Sequence, residues 1–486
     1  MRCDDRSRLR REVPRAHATA WWALLIVLLF PSQLLAVPAF ARRYETSCAT
    51  CHQAFPRLNA VGESFRLAGF RFVDDERYRK INPVELGDEA YKKLWPHALW
   101  PTDVPRTSPL SFVARMMGEV DLDGTRRTDV TFLLPEETEL VWVANLGEDI
   151  AFYGDGIFLQ KDFGGLKADS WATFKGWMQF QSVVGQNKLN LRVGTVGTQT
   201  MGLFTARDAN FYGTHYYLYT SWLMPTPNAA AAGFTQFKGN NFSIGPQAGV
   251  EANGFGERWF YAGGVVNGDL ISPVTGPPES DIEFVGMGTG GGRDVYMQLA
   301  YKAGGVPFDR SRERPAETLT SGAEFWRDDS TILSFFGYRG HAMIRAVAAD
   351  GTVHEDDDLF WRLGASVQHE YRDITLGAVW VEGNNARPYG VLSREPVRSR
   401  AWHLETIYFA YPWLLPYARY ESLSLDVPAG IPGVSPDQDI ARLMVGAKAM
   451  IRPNVWVVGE TAFYTKGAEL EEGFDRTLFV LLAVSF

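Results

Sequence analysis

The chain has 486 residues, of which 46% are hydrophobic and 22% charged, a composition that excludes a disordered protein. Residues 1–36 hold six of its 48 lysines and arginines and three of its 57 acidic residues, and the remainder carries a formal net charge of −12. A balance this acidic excludes nucleic acid as a partner, because phosphate contacts need clustered cations.

At the N-terminus, Arg2, Arg6, Arg8, Arg10, Arg11 and Arg15 precede the apolar run WWALLIVLLF, and the small residues of LLAVPAFA follow it. Ten apolar residues are half of the ~20 that a membrane-spanning helix needs. Residues 1–36 therefore read as a secretory signal, with cleavage expected after Ala36 or Ala41. Cys3 leaves with it, so the exported chain holds two cysteines, Cys48 and Cys51.

Both stand in SCATCH, where His52 follows at once. Two intervening residues let two thiols reach the vinyl groups along one haem edge, and the adjacent histidine is placed to ligate iron. A structural disulfide would not need the histidine. A thioredoxin-like pair would sit between a strand and a helix. Zinc would need two further ligands, and there is no second cysteine pair. The pentad behind an export signal favours one covalent haem c, with Cys48 and Cys51 as attachment points and His52 as proximal iron ligand.

The run FPRLNAVGESFRLAGFRF reads as a short helix. Pro56 suits its first turn, Leu58, Val61, Phe65 and Phe70 recur near helical spacing, and Gly69 stops it. The sixth iron ligand is open between His97 in LWPHALWP, Met117 on the first strand, and none at all.

From about residue 110 the period changes to two. Leu359, Trp361, Leu363, Ala365 and Val367 alternate with Arg362, Ser366, Gln368, Glu370 and Arg372. In WATFKGWMQFQS, Ala172, Phe174, Met178 and Phe180 oppose Thr173, Lys175, Gln179 and Gln181. Runs of about nine to twelve residues exceed the ~5–6 of soluble strands and match a tilted membrane crossing. About sixteen such runs up to residue 486 predict a mainly β protein, a transmembrane antiparallel barrel. NLGED at 145–149 reads as a short turn. Stretches near 269–292, 304–318, 342–357, 384–400 and 427–439 read as outer loops. Leu478, Val480, Leu482, Val484 and Phe486 share one face of the last strand, and a terminal aromatic resembles the signal read by barrel-insertion machinery. Arg115, Glu119, Lys175, Arg362, Glu370, Arg442 and Lys448 fall on the other face and are expected to line and hydrate the lumen.

With AVPAFAR at 36–42, SCATCH at 47–52, FPRLNAVGESFRLAGF at 55–70 and a barrel behind them, the chain resembles the fused monohaem cytochrome–porin family of bacterial outer membranes. Its best-known members oxidise iron. The resemblance implies haem attachment at Cys48 and Cys51 and axial ligation by His52. It also implies that residues 37–109 form a small α-helical cytochrome c-like plug in the mouth or lumen of the barrel, residues 110–486. ARRYET, with Arg43, Tyr44 and Glu45, departs from the pattern that iron-oxidising members carry before the first motif cysteine.

The expected function is electron transfer across an apolar band of ~25 Å. An extracellular donor such as Fe(II) would supply a haem inside the barrel, and a periplasmic electron-transfer protein would accept. The wall would face outer-membrane lipid. Two other classes compete: a porin or transport channel whose haem domain gates or senses, and a haem enzyme such as a peroxidase. No residue stands out as catalytic.

Overall fold

A computed structural model describes residues 39–72, 75–85, 93–94, 103–122, 130–147, 149–160, 173–197, 235–236, 247–268, 293–311, 324–347, 352–436, 438–467 and 477–485. The expected signal, the candidate ligand His97 and the terminal Phe486 lie outside the described residues.

Sixteen long strands pair antiparallel and close into a barrel. They are β1 (Leu110–Asp121), β2 (Val130–Leu146), β3 (Ile150–Gln160), β4 (Thr173–Val184), β5 (Leu189–Val196), β6 (Gln247–Phe255), β7 (Trp259–Val266) and β8 (Asp294–Gly304). β9 (Ser330–Val347), β10 (Val353–Tyr371), β11 (Ile374–Asn385), β12 (Val397–Tyr408), β13 (Leu414–Leu425), β14 (Ile440–Arg452), β15 (Val455–Lys466) and β16 (Thr477–Ser485) follow. The ring closes where β16 meets β1, with Thr477 opposite Asp121 and Ser485 opposite Val113. Closure pairs the backbone groups that an open edge would leave bare.

Alternation sorts the side chains. On β8, Val295, Met297 and Leu299 are exposed, while Gln298, Ala300 and Lys302 are buried. On β10, Leu363 is 51% exposed and its neighbour Arg362 is fully buried. The expected lumen residues Arg115, Glu119, Arg362, Glu370, Arg442 and Lys448 are all buried, and Lys175 is partly so. A soluble sandwich would turn its apolar face inward. This barrel turns it outward, toward lipid, as outer-membrane barrels do. The inward charges are compensated: across strands Arg192 lies 2.9 Å from Glu251 and Arg115 3.2 Å from Glu136, and Lys302 lies 2.7 Å from Asp328 in the β8–β9 connection. No helix among the described residues is long and apolar enough to cross a membrane.

The two rims differ. The β2–β3, β4–β5, β6–β7, β10–β11, β12–β13 and β14–β15 connections take two to five residues each, and NLGED is such a turn. The other rim carries longer connections, including 267–293, 386–396 and 426–439. Two expected outer loops need correction. The stretch near 304–318 follows β8 on the short-turn rim, because strand parity, invisible to composition, sets the rim. Most of 342–357 is strand, with pairing up to Val347 opposite Val353. Its polar run HEDDD looks loop-like because an outward face without apolar alternation carries no period-2 signal.

The N-terminal segment begins with α1 (Ala39–Tyr44), a 3-10 turn at Cys48–Thr50, and a small hairpin pairing His52–Ala54 with Arg57–Leu58. α2 (Ala60–Leu67) and α3 (Asp75–Tyr78) follow, and Val84–Glu85 pairs with Asp103–Val104. Ala54 packs among Met117, Phe479 and Leu481, and Leu67 among Phe260 and Phe308. The segment thus contacts inward-facing wall residues. The expected helix is shorter than its pattern. Pro56 lies in the hairpin turn, not in a first helical turn, because Asn59 is the N-cap: its side chain accepts from Gly62 N at 2.9 Å. Gly69 does end the helix, at φ +67°.

Candidate functional site

The Cys-x-x-Cys-His loop is built from local hydrogen bonds. Ser47 caps the 3-10 turn, accepting from Ala49 N at 3.2 Å, and Cys51 N donates to Cys48 O at 3.1 Å. Asn59 N then donates to Cys51 O at 3.0 Å, which draws the start of α2 onto the loop. The approach is so close that a Cβ on Gly62 would stand 2.0 Å from Cys51 O. Only glycine fits there. The Asn59 amide nitrogen also donates to Ala49 O, Thr50 O and Phe325 O, each at 3.2 Å.

His52 is oriented in part by a hydrogen bond and by the Phe55 ring 4.9 Å away. Its Nδ1 lies 3.1 Å from Pro56 O. A carbonyl oxygen only accepts, so Nδ1 carries the proton and the ring's lone pair sits on Nε2. That is the tautomer of a metal-ligating imidazole whose other nitrogen is fixed from behind.

Cys48, Cys51 and His52 face a cavity of about 300 Å³. Its body is aromatic and aliphatic: Phe40, Phe65, Phe70 and Phe72 from the N-terminal segment, and Val141, Tyr153, Trp177 and Trp456 from the barrel. Phe70 stacks on Trp177 at 5.8 Å, and Tyr153 on Trp177 at 5.5 Å. Two positions farther from the short-turn rim the lining becomes charged. Arg115, Glu139, Asp155 and Lys175 stand there, with Lys175 3.1 Å from Asp155. Burial pushes the Cys48 thiol up to about 11 and the Cys51 thiol up to about 12. A thioredoxin-like pair sits between a strand and a helix, whereas this motif runs from a 3-10 turn into a small hairpin. The cysteines are not bonded to each other. Among the described residues, no cluster of three His, Cys, Asp or Glu is placed to hold a bare metal ion. Two thiols, an oriented imidazole and ring-lined walls do fit a flat, covalently held macrocycle such as haem.

Barrel side chains fix the motif hairpin. Gln53 donates to Glu370 of β10 at 2.9 Å, Arg57 pairs with Glu405 of β12 at 3.1 Å, and Lys448 of β14 donates to Phe55 O. A strap from the β8–β9 connection lies alongside. Gln53 donates to Trp326 O at 3.2 Å, and Trp326 stacks on Phe409 at 5.4 Å. Arg327 and the Trp326 indole bind Asp373, which those contacts, Arg327 first, hold below the usual carboxylate range. Around α1, Asp75 collects Arg43 at 3.0 Å, Arg79 at 3.4 Å and the Tyr44 hydroxyl.

Cys48, Cys51 and His52 are thus brought together, as their spacing requires. Met117 faces inward as expected, but it packs among Ala54, Phe479 and Leu481 and is not part of the cavity lining. Sequence reasoning missed Tyr153, Trp177 and Trp456. Trp177 is an apolar ring on a strand face otherwise made of Lys175, Gln179 and Gln181, and that interruption of alternation was the available signal; Tyr153 and Trp456 share their faces with Ala151 and Val458 and left none.

No known family pattern matches the chain, and no curated protein resembles it in sequence. Among solved structures it is similar to the outer-membrane channel DcaP of Acinetobacter baumannii, with 11% identity, 79% of this chain and 97% of that one covered, and a TM-score of 0.46. It is also similar to OmpT of Vibrio cholerae, with 11% identity, 78% and 97% coverage, and a TM-score of 0.42. An anion-selective porin from Comamonas acidovorans matches at 12% identity, 78% and 98% coverage, and a TM-score of 0.45. The barrel assignment rests on this chain's own strand pairing.

Proposed function

We propose that this barrel carries one haem c at Cys48, Cys51 and His52 and passes electrons between the two faces of the outer membrane, as the fused monohaem cytochrome–porin family it resembles would. The observation that carries the reading is the placement of both thiols and an oriented imidazole on one ring-lined cavity inside a closed barrel. When bound, the haem supplies a one-electron couple. The chain does the rest. Pro56 keeps the proton on His52 Nδ1. The rings of Phe40, Phe65, Phe70 and Trp177 exclude water, which sets the potential through burial. The ties from Glu370, Glu405 and Lys448 hold the motif hairpin fixed against the wall. Residues 37–109 act as the plug. The donor is extracellular, Fe(II) being the first to test, and the acceptor is a periplasmic electron-transfer protein. With Met117 outside the cavity lining, His97 is the remaining protein candidate for the sixth ligand.

The test is the visible spectrum of purified protein from a host that attaches haem c. A reduced c-type band that disappears in Cys51→Ala supports the reading, and a colourless wild-type protein sinks it. Titration with Fe(II) then decides the donor alone.

A second reading is a transport channel gated by its N-terminal segment. On architecture alone it is the more direct of the two, since a barrel with a charged lumen is a pore by design. A polar cavity of about 1190 Å³ between the N-terminal segment and the short-turn rim favours it specifically. Liposome swelling with sugars separates them: rapid swelling speaks for the channel, and none speaks for a plugged conduit.

A further inference from the structure

That polar cavity has a second meaning, which rests on the electron-transfer reading. It is bounded on the rim side by Asp149 of the β2–β3 turn, Gln186 of the β4–β5 turn and Asp309 after β8. On the inner side it is bounded by Arg71, Phe72 and Glu76. Phe72 also lines the cavity that Cys48, Cys51 and His52 face. Its ring is 4.7 Å from Phe65 and 4.8 Å from Tyr44, two further members of that lining. One buried phenyl ring therefore belongs to the walls of both spaces.

We infer that the short-turn rim around this vestibule is the electron exit, and that a soluble one-electron carrier protein docks over it with Phe72 as the partition between the two redox groups. Tunnelling falls steeply with distance, so a docked carrier gains most where the partition is a single ring. One electron leaves the site and reduces the carrier by one; no bond or proton changes hands. The vestibule charges are mixed, Arg71 against Glu76, Asp149 and Asp309. That suits the small, polar, short-lived contact typical of redox partners, and predicts a weak dependence on salt.

The experiment uses the haem-loaded full chain in detergent. Gln186→Cys places a thiol at the vestibule, and Pro412→Cys places one on the opposite side of the same rim, in the β12–β13 turn. Each is coupled to a polyethylene glycol maleimide. The chemically reduced protein is then mixed with a small soluble c-type cytochrome as acceptor. The adduct at 186 is expected to slow oxidation about tenfold or more, because it removes the docking patch, while the adduct at 412 leaves the rate within about twofold. Equal rates for the two adducts overturn the exit assignment while a normal haem spectrum leaves electron transfer standing. Absence of a haem spectrum overturns both.

Discussion

Gly62 shows how finely the motif is held. A Cβ there would meet Cys51 O at 2.0 Å and a Leu58 methyl at 2.9 Å, and the first of these is backbone that cannot swing away. Gly62→Ala must push α2 off the Cys-x-x-Cys-His loop, at about 1–3 kcal/mol. Gly459→Ala is the matched control, since its added Cβ meets nothing within 4 Å. Limited proteolysis of the N-terminal segment should accelerate in the first variant and stay unchanged in the second. At this scale the motif itself was legible, because Cys48, Cys51 and His52 stand within five consecutive residues. The walls were not. Trp177 and Trp456 are recruited from strands more than a hundred residues away, and only the register of the closed barrel brings them to Cys48.

Among the elements, the strap at 324–329 depends on Asp373. Arg327 first, and then the Trp326 indole, depress its pKa. A carboxylate whose folded pKa lies below its unfolded value stabilises the fold above that unfolded value, near ~4, and loses the contribution as pH falls through the folded pKa. The strap should therefore stay pinned from neutral pH down to about 4 and loosen below it. Asp373→Asn should show at pH 7 the tryptic sensitivity after Arg327 that wild type acquires under acid. Equal cleavage of the two proteins at pH 7 would refute the pin. The strap also explains a misreading. Its Gly- and Pro-rich start looks like any outer loop, and composition carries no record of which rim a connection belongs to. The alternation of β10 was legible at once, because lipid on one side and water or ion pairs on the other impose a strict period of two.

For the whole molecule, the outward apolar face and the inward ties make separate, additive demands. Leu363 faces lipid, so Leu363→Lys should cost about 2–4 kcal/mol in folding into bilayers if it lies near the midplane. The inward ties act on permeation. Arg57 and Glu405 are both nearly solvent-free, so Arg57→Met leaves the carboxylate without its guanidinium, a loss of about 3–5 kcal/mol. Lys448→Met removes the donor to Phe55 O. If the N-terminal segment is a fixed plug, the wild type should pass little current in a planar bilayer, and the double variant should open more often and to higher conductance. If the segment is a gate that already opens at rest, the wild type conducts and the double variant adds little. The comparison is informative because one substitution lies on the N-terminal hairpin and the other on the inner face of β14, so both leave the lipid-facing band that holds the barrel in the membrane untouched.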